Sequence, residues 1–243
     1  MAVLINTFVT SSIYNSLPHI KDVSDVPTEN REDLEILRAL LLKHDVPEAV
    51  SIRLIHKHYD ALDGEVMVFD KVKLPAYGTV QTMRPVVPPK DSGFCGIHYF
   101  VNDQGALQAY EYATCGVPDT SNLGAFFAEF CHIVTERNLQ HKFGLKIKTI
   151  DELDQTGWTE YELHAKRITV MFPDGIPQPQ GDSCEVGHQG SDFTVTTEWL
   201  GLGENKRDNA EENYSEEDFC IGGHKVMPGT PVHEILNAVV EAY

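Results

Sequence analysis

The chain has 243 residues, 42% hydrophobic and 23% charged, and its 37 acidic side chains outnumber 19 basic ones for a net charge of −18. That composition can fill a hydrophobic core and excludes global disorder. The charge repels phosphate backbones and anionic lipid, which excludes nucleic acid and membrane surfaces as general partners. No apolar run approaches the roughly 18 residues of a spanning helix. No basic stretch precedes the first apolar residues, so no signal peptide is read. The five cysteines (Cys95, Cys115, Cys131, Cys184, Cys220) are widely spaced with no C-x-x-C pair. They suit a reducing compartment, and a cytoplasmic protein is expected.

Residues 2–10 alternate and predict a first strand. A helix then starts at Thr28 or Asn30 and runs through "REDLEILRALLLKHD", with acidic residues in its first turn and Lys43 and His44 at its end. "AVSIRLIHKHYD" and "GEVMVFDKVKL", on either side of "ALDG", predict a hairpin. "GTVQTMRPVVPPK" predicts an extended edge segment stopped by its prolines. "GFCGIHYFV" and "ALQAYEYAT", on either side of "NDQG", predict a second hairpin. A long helix is expected over about 121–138, with a stripe of Leu123, Phe126, Phe127, Phe130, Ile133 and Val134. "HKFGLKIK", "EYELHAKRITVMF" and "FTVTTEWLGL" read as further strands, and a last helix begins at Pro231 behind Thr230. The expected fold is a single α+β domain over 1–243: a mostly antiparallel sheet of hairpins, with the long helix and two others packed on it. A Gly/Pro-rich loop at 173–192 and an acidic loop at 203–218 are insertions.

The sharpest chemical signal is "RLIHKHYD". Alternation sets Val50, Ile52, Leu54, His56 and His58 on one face and gives the solvated positions to Arg53 and Lys57. Two inward imidazoles two residues apart can ligate one divalent transition metal such as iron, zinc or copper. The other readings are that both sit at a half-open rim or line a metal-free polar pocket. In the second hairpin His98 shares a face with Phe94 and Phe100. If Val101 pairs with Ala106, Glu111 lies diagonal to His98. A buried carboxylate needs a partner: His98 or a metal it shares, or else a structural Glu–His or Glu–Arg hydrogen bond inside the core. The candidates are therefore His56, His58 and His98 as metal ligands, with His98 and Glu111 as acid–base groups. Glu129, His132 and Glu136 share a helix stripe opposite the phenylalanines and read as a solvated face. His188 and His224 lie in Gly-rich segments.

The order His56, His58, Asp63, His98, Asn102 is similar to that of the cupin motifs, without their Gly and Pro positions. The H-x-H ahead of "GEVMVFDKVK" is similar to the pterin-synthase pattern, at a different spacing. Neither covers more than a small part of the chain, and membership is read in neither family. The expected function is an enzyme acting on a small molecule in a His-lined pocket, with or without a metal, its reaction being of oxygenase, hydrolase, isomerase or cyclase type. The competing reading is an acidic, non-catalytic interaction module.

Overall fold

The computed structural model describes residues 4–114, 116–152, 158–173, 193–200, 218–222 and 231–243. Most of the Gly/Pro-rich loop and of the acidic loop, together with His188, His224 and Thr230, lie outside the described residues.

The N-terminal part contributes β1 (Leu4–Ile5), α1 (Ser11–Asn15), α2 (Val26–Glu29) and α3 (Arg31–Lys43). Glu32 and Asp33 in the first turn of α3 and Lys43 in its last complement the helix dipole. Leu34, Leu37 and Leu41 form its buried stripe. Asp45 ends it in the left-handed region at φ 49°. The amide of Asp45 bonds the Leu42 carbonyl and that of Val46 the Leu41 carbonyl, which is a Schellman stop. β2 (Val50–Leu54), β3 (Val66–Leu74), β4 (Gly78–Val86), β5 (Cys95–Val101) and β6 (Leu107–Ala113) follow. The helix expected over about 121–138 is shorter: α4 spans Gly124–Glu136 behind a 3-10 turn at Ser121–Leu123. Asn138, at φ 56°, ends it with the same Schellman bonds. After α4 come β7 (Phe143–Ile147), β8 (Trp158–Leu163), β9 (Ile168–Pro173), β10 (Phe193–Thr196), β11 (Glu198–Trp199), β12 (Asp218–Gly222) and α5 (Pro231–Ala242).

The strands form one sheet in the order β10-β12-β8-β9-β4-β3-β6-β5-β7-β2-β11, with β1 added beside β6. The two strands at the ends of this path, β10 and β11, are consecutive in the chain with Thr197 alone between them. The sheet therefore curls until a single segment, 193–199, pairs with β12 at its start and with β2 at its end. The Thr197 carbonyl accepts from the Leu54 amide within that seam. Closure satisfies strand edges that an open sheet would leave unpaired.

Several expectations are corrected. The sheet is mixed, since β1 and β3 run parallel to β6, and β12 runs parallel to β8. The hairpin expected around "ALDG" does not form. Its turn exists, with Gly64 at φ 80° and the Glu65 amide on the Leu62 carbonyl. The segment after β2 is captured elsewhere: the Lys57 amide and carbonyl bond Pro18 and Ile20, and the Asn15 side chain grips both backbone groups of Ala61. β2 pairs instead with β7 and β11, and β3 with β4 and β6. β4 is not an edge, because β3 and β9 flank it; β9 pairs only with Gln81–Met83, which leaves Pro85 clear of that ladder. "EYELHAKRITVMF" is a hairpin, β8 and β9, turned through a 3-10 turn at His164–Lys166 and Arg167 at φ 55°. Of the first expected strand, 2–10, Leu4–Ile5 alone pairs as a strand among the described residues. The hairpin around "NDQG" forms as expected.

Helices cover the outer face. Residues of α3 and α4 pack on Val50, Ile52 and Leu54 of β2 and Phe143, Leu145 and Ile147 of β7. α5 packs Ile235, Leu236 and Val239 on Tyr161, Ile168, Val170 and Val80. Residues that alternate with these face into the closed sheet, as the pleat requires. Part of this interior is apolar, with Tyr14, Ile55, Met67, Phe69, Met83, Ile97, Phe100, Tyr110 and Met171 in one cluster. The rest is ionised or hydrogen-bonding. No helix among the described residues is long and apolar enough to cross a membrane.

Candidate functional site

β2 shows how the interior acquires charge. Val50, Ile52 and Leu54 go under the helices, so Ser51 and Arg53 must point inward. Arg53, expected in solvent, is buried. Its guanidinium donates to Thr197 Oγ1 at 3.1 Å and to Glu160 Oε1 at 3.3 Å. Ser51 donates to Glu198 Oε1 at 2.6 Å, and Lys146 of β7 donates to Glu198 Oε2 at 2.9 Å. Lys146 also lies 3.9 Å from Glu152, whose other oxygen accepts from the Thr149 amide and hydroxyl. The strand ends at Leu54, so His56 and His58 stand on an irregular segment beyond it. That change of direction brings His56 to the side of Arg53, with Nε2 3.5 Å from the guanidinium.

Two groups emerge. In the first, His56 Nδ1 bonds the Leu54 carbonyl at 2.8 Å. His58 Nε2 meets Glu160 Oε2 at 2.9 Å and His58 Nδ1 meets Glu162 Oε1 at 2.8 Å. The two rings stand edge to face, 5.0 Å between centroids. Glu160 and Glu162 come from β8, where "EYEL" alternates, Tyr161 going under α5 and the carboxylates inward. Burial pushes Glu160 up, but the Arg53 guanidinium and the hydrogen bond from His58 hold it well below the usual carboxylate range. Burial, then the charges of Arg53 and His58, push His56 well below the usual histidine value, so it is neutral.

In the second group His98 Nδ1 is hydrogen-bonded to Glu111 Oε2, and the Tyr14 hydroxyl donates to Glu111 Oε1 at 3.1 Å. Phe69 and Tyr110 flank the imidazole, 5.1 and 6.0 Å between ring centroids. His98 Nε2 is buried and has no hydrogen-bond partner among the described residues. Burial, then the charges of Arg53 and Lys146, push His98 well below its ordinary value. Burial pushes Glu111 up to about 7, against the pull of Arg53 and His58. Below about 7 the proton on the Glu111–His98 hydrogen bond therefore stays with the carboxyl. His98 then carries its own proton on Nε2. When Glu111 ionises it accepts from Nδ1, and Nε2 becomes an acceptor.

Of the candidates read from sequence, His56, His58, His98 and Glu111 are all buried, and His98 and Glu111 are partners. One ring nitrogen each of His56 and His58 and one oxygen of Glu160 lie within 4.8 Å of one another, and His98 is not part of that group. Sequence reasoning missed Arg53, Glu160, Glu162, Lys146, Glu198 and Tyr14. The period-2 acidic pair in "EYEL" is the signal that was there to find. His132 and Glu136 are exposed on α4, while Glu129 binds Lys43 at the end of α3 and His44 just after it at 2.5 and 2.7 Å. Among the described residues Cys95 and Cys131 are free thiols. Comparison with family models, with curated proteins and with solved structures finds no match to this chain.

Proposed function

We propose that this chain is an enzyme that moves a proton on a small molecule held inside the closed sheet, with His98 as the group that exchanges the proton and Glu111 as its buffer. The observation that carries this reading is the partnerless, buried His98 Nε2, backed by Glu111 and Tyr14 in series. A histidine used only for packing satisfies both nitrogens. This one holds a reactive atom toward the interior and fixes the other. Glu111, pushed up to about 7, lets Nε2 alternate between donor and acceptor near neutral pH, which is the condition for efficient acid–base catalysis.

The charges that depress His98, those of Arg53 and Lys146, also stabilise negative charge forming beside it. That favours substrates that pass through an enolate or carry a carboxylate, and reactions of isomerase or cyclase type over the others expected from sequence. The test is solvent exchange. The chain is incubated in deuterated water with a panel of small keto acids, hydroxyketones and aldehydes, and carbon-bound deuterium is followed by NMR. Exchange in one class is expected, falling by about 10²–10⁴-fold in His98→Asn. Absence of exchange throughout the panel, or exchange that His98→Asn leaves unchanged, refutes the reading.

A further inference from the structure

We propose that His56, His58 and Glu160 bind one first-row divalent transition ion, of the iron(II) or zinc kind, in the wall of the closed sheet. Metal binding there does not depend on His98 acting as a base. The argument starts from the atoms that hold each ligand. His56 Nδ1 bonds the Leu54 carbonyl and His58 Nδ1 bonds a Glu162 oxygen, both at 2.8 Å. A histidine whose Nδ1 donates to a carbonyl or carboxylate offers the lone pair of Nε2, which is how ligating imidazoles are oriented. The third member, Glu160, faces both from β8, and one ring nitrogen of each histidine and one Glu160 oxygen lie within 4.8 Å of one another. All three side chains are buried.

Two imidazoles and one carboxylate suit iron(II) or zinc, and leave coordination positions for water or substrate. Calcium and magnesium prefer all-oxygen sets. At present one proton occupies the 2.9 Å gap between His58 Nε2 and Glu160 Oε2. The ion takes that proton's place and displaces the Arg53 guanidinium from His56 Nε2, which it approaches at 3.5 Å, and the proton leaves to solvent. Arg53 keeps Glu160 Oε1, at 3.3 Å, and is anchored on its other side by Thr197 Oγ1. Replacing a proton by a divalent ion adds one unit of positive charge, which an anionic ligand at the open positions offsets.

The experiment uses the full chain purified without an affinity tag and stripped with a chelator. It is loaded with zinc, or anaerobically with iron(II), then desalted and counted by plasma mass spectrometry. About one equivalent is expected in the wild type and in His132→Ala, a surface control, with loss in His56→Ala and Glu160→Gln. Glu162→Gln, which removes only the carboxylate behind His58, weakens retention about 10–100-fold. Circular dichroism checks that each variant is folded. Should the ligand variants fail to fold, the wild type loaded with cobalt(II) decides. Visible ligand-field bands that zinc displaces, with no thiolate charge-transfer band, are expected. A wild type that retains none of these ions, retention unaffected by His56→Ala in a folded variant, or a thiolate band overturns the proposal.

Discussion

His98 stands directly across from Glu111 only because β5 and β6 each carry one extra residue at that point. From the turn the ladder runs Val101 to Leu107, Phe100 to Gln108 and Tyr99 to Ala109, which continued evenly would set His98 against Tyr110. The register shifts on both sides of His98, and the ladder resumes at Gly96 against Tyr112. The bulges turn Glu111 away from Leu107 and Ala109, which lie under the helices, and into the interior beside Tyr110. Bulges re-aim side chains in this way at functional sites.

That pairing has a pH signature. Glu111 is pushed by burial from 4.5 up to about 7, so between these values the folded chain holds a proton that the unfolded chain has lost. The stability from this carboxyl is complete below about 4.5, falls as pH rises through about 7, and stays lost above. Glu111→Gln keeps a neutral hydrogen-bonding group and removes the slope. Its urea midpoint relative to the wild type should therefore shift in the variant's favour from about pH 5 to about pH 8. A constant difference over that window would mean the carboxyl does not titrate there.

Arg53 is the cation that makes the buried Glu160 tolerable. Arg53→Met fits the space but leaves the carboxylate without that partner, and should cost about 3–5 kcal/mol in denaturant titration. Adding Glu160→Gln to the same chain should recover a large part of the loss. If the double variant is no better than the single one, the pair does not act as a unit.

Gly144 of β7 and Gly124 at the start of α4 should respond oppositely to the same change. A Cβ at Gly144 would lie 2.0 Å from the Tyr99 carbonyl oxygen, a backbone atom of the neighbouring strand that cannot swing aside. Gly144→Ala should destabilise by about 3 kcal/mol or more, the upper end for overpacking. A Cβ at Gly124 meets nothing within 4 Å. Gly124→Ala should be neutral or stabilise by up to about 1 kcal/mol. Thermal melts of the two variants check both signs.

The phenylalanine stripe of α4 carries a further expectation. Phe127 and Phe130 are buried against the outer face of the sheet, with Phe126 beside them at ring distances of 5.5 and 6.0 Å. Phe127→Ala or Phe130→Ala should lower stability by about 3–5 kcal/mol, read from urea midpoints. Unchanged midpoints would mean that this face collapses around the gap without cost.

α3, α4 and the hairpin across "NDQG" could be read from the chain alone, because they rest on local physics. The Leu34–Leu37–Leu41 and phenylalanine stripes repeat at the helical period, and turn chemistry at Asn102–Gly105 joins two apolar runs. The same locality brought His98 and Glu111 together, a few residues either side of one turn, although the bulges that aim them were not visible. What alternation cannot tell is whether a strand's second face meets water or another wall of the same sheet. Arg53 and Lys57 looked equally solvated, yet Arg53 is sealed inside because 193–199 closes the sheet beside it. Nor does periodicity choose partners. The carboxylate that completes the His56–His58 group sits at Glu160, 107 residues beyond Arg53, brought there by the parallel and antiparallel pairings of β8. Those pairings depend on which surfaces the helices cover and which edges must be closed, and only the assembled fold supplies that information.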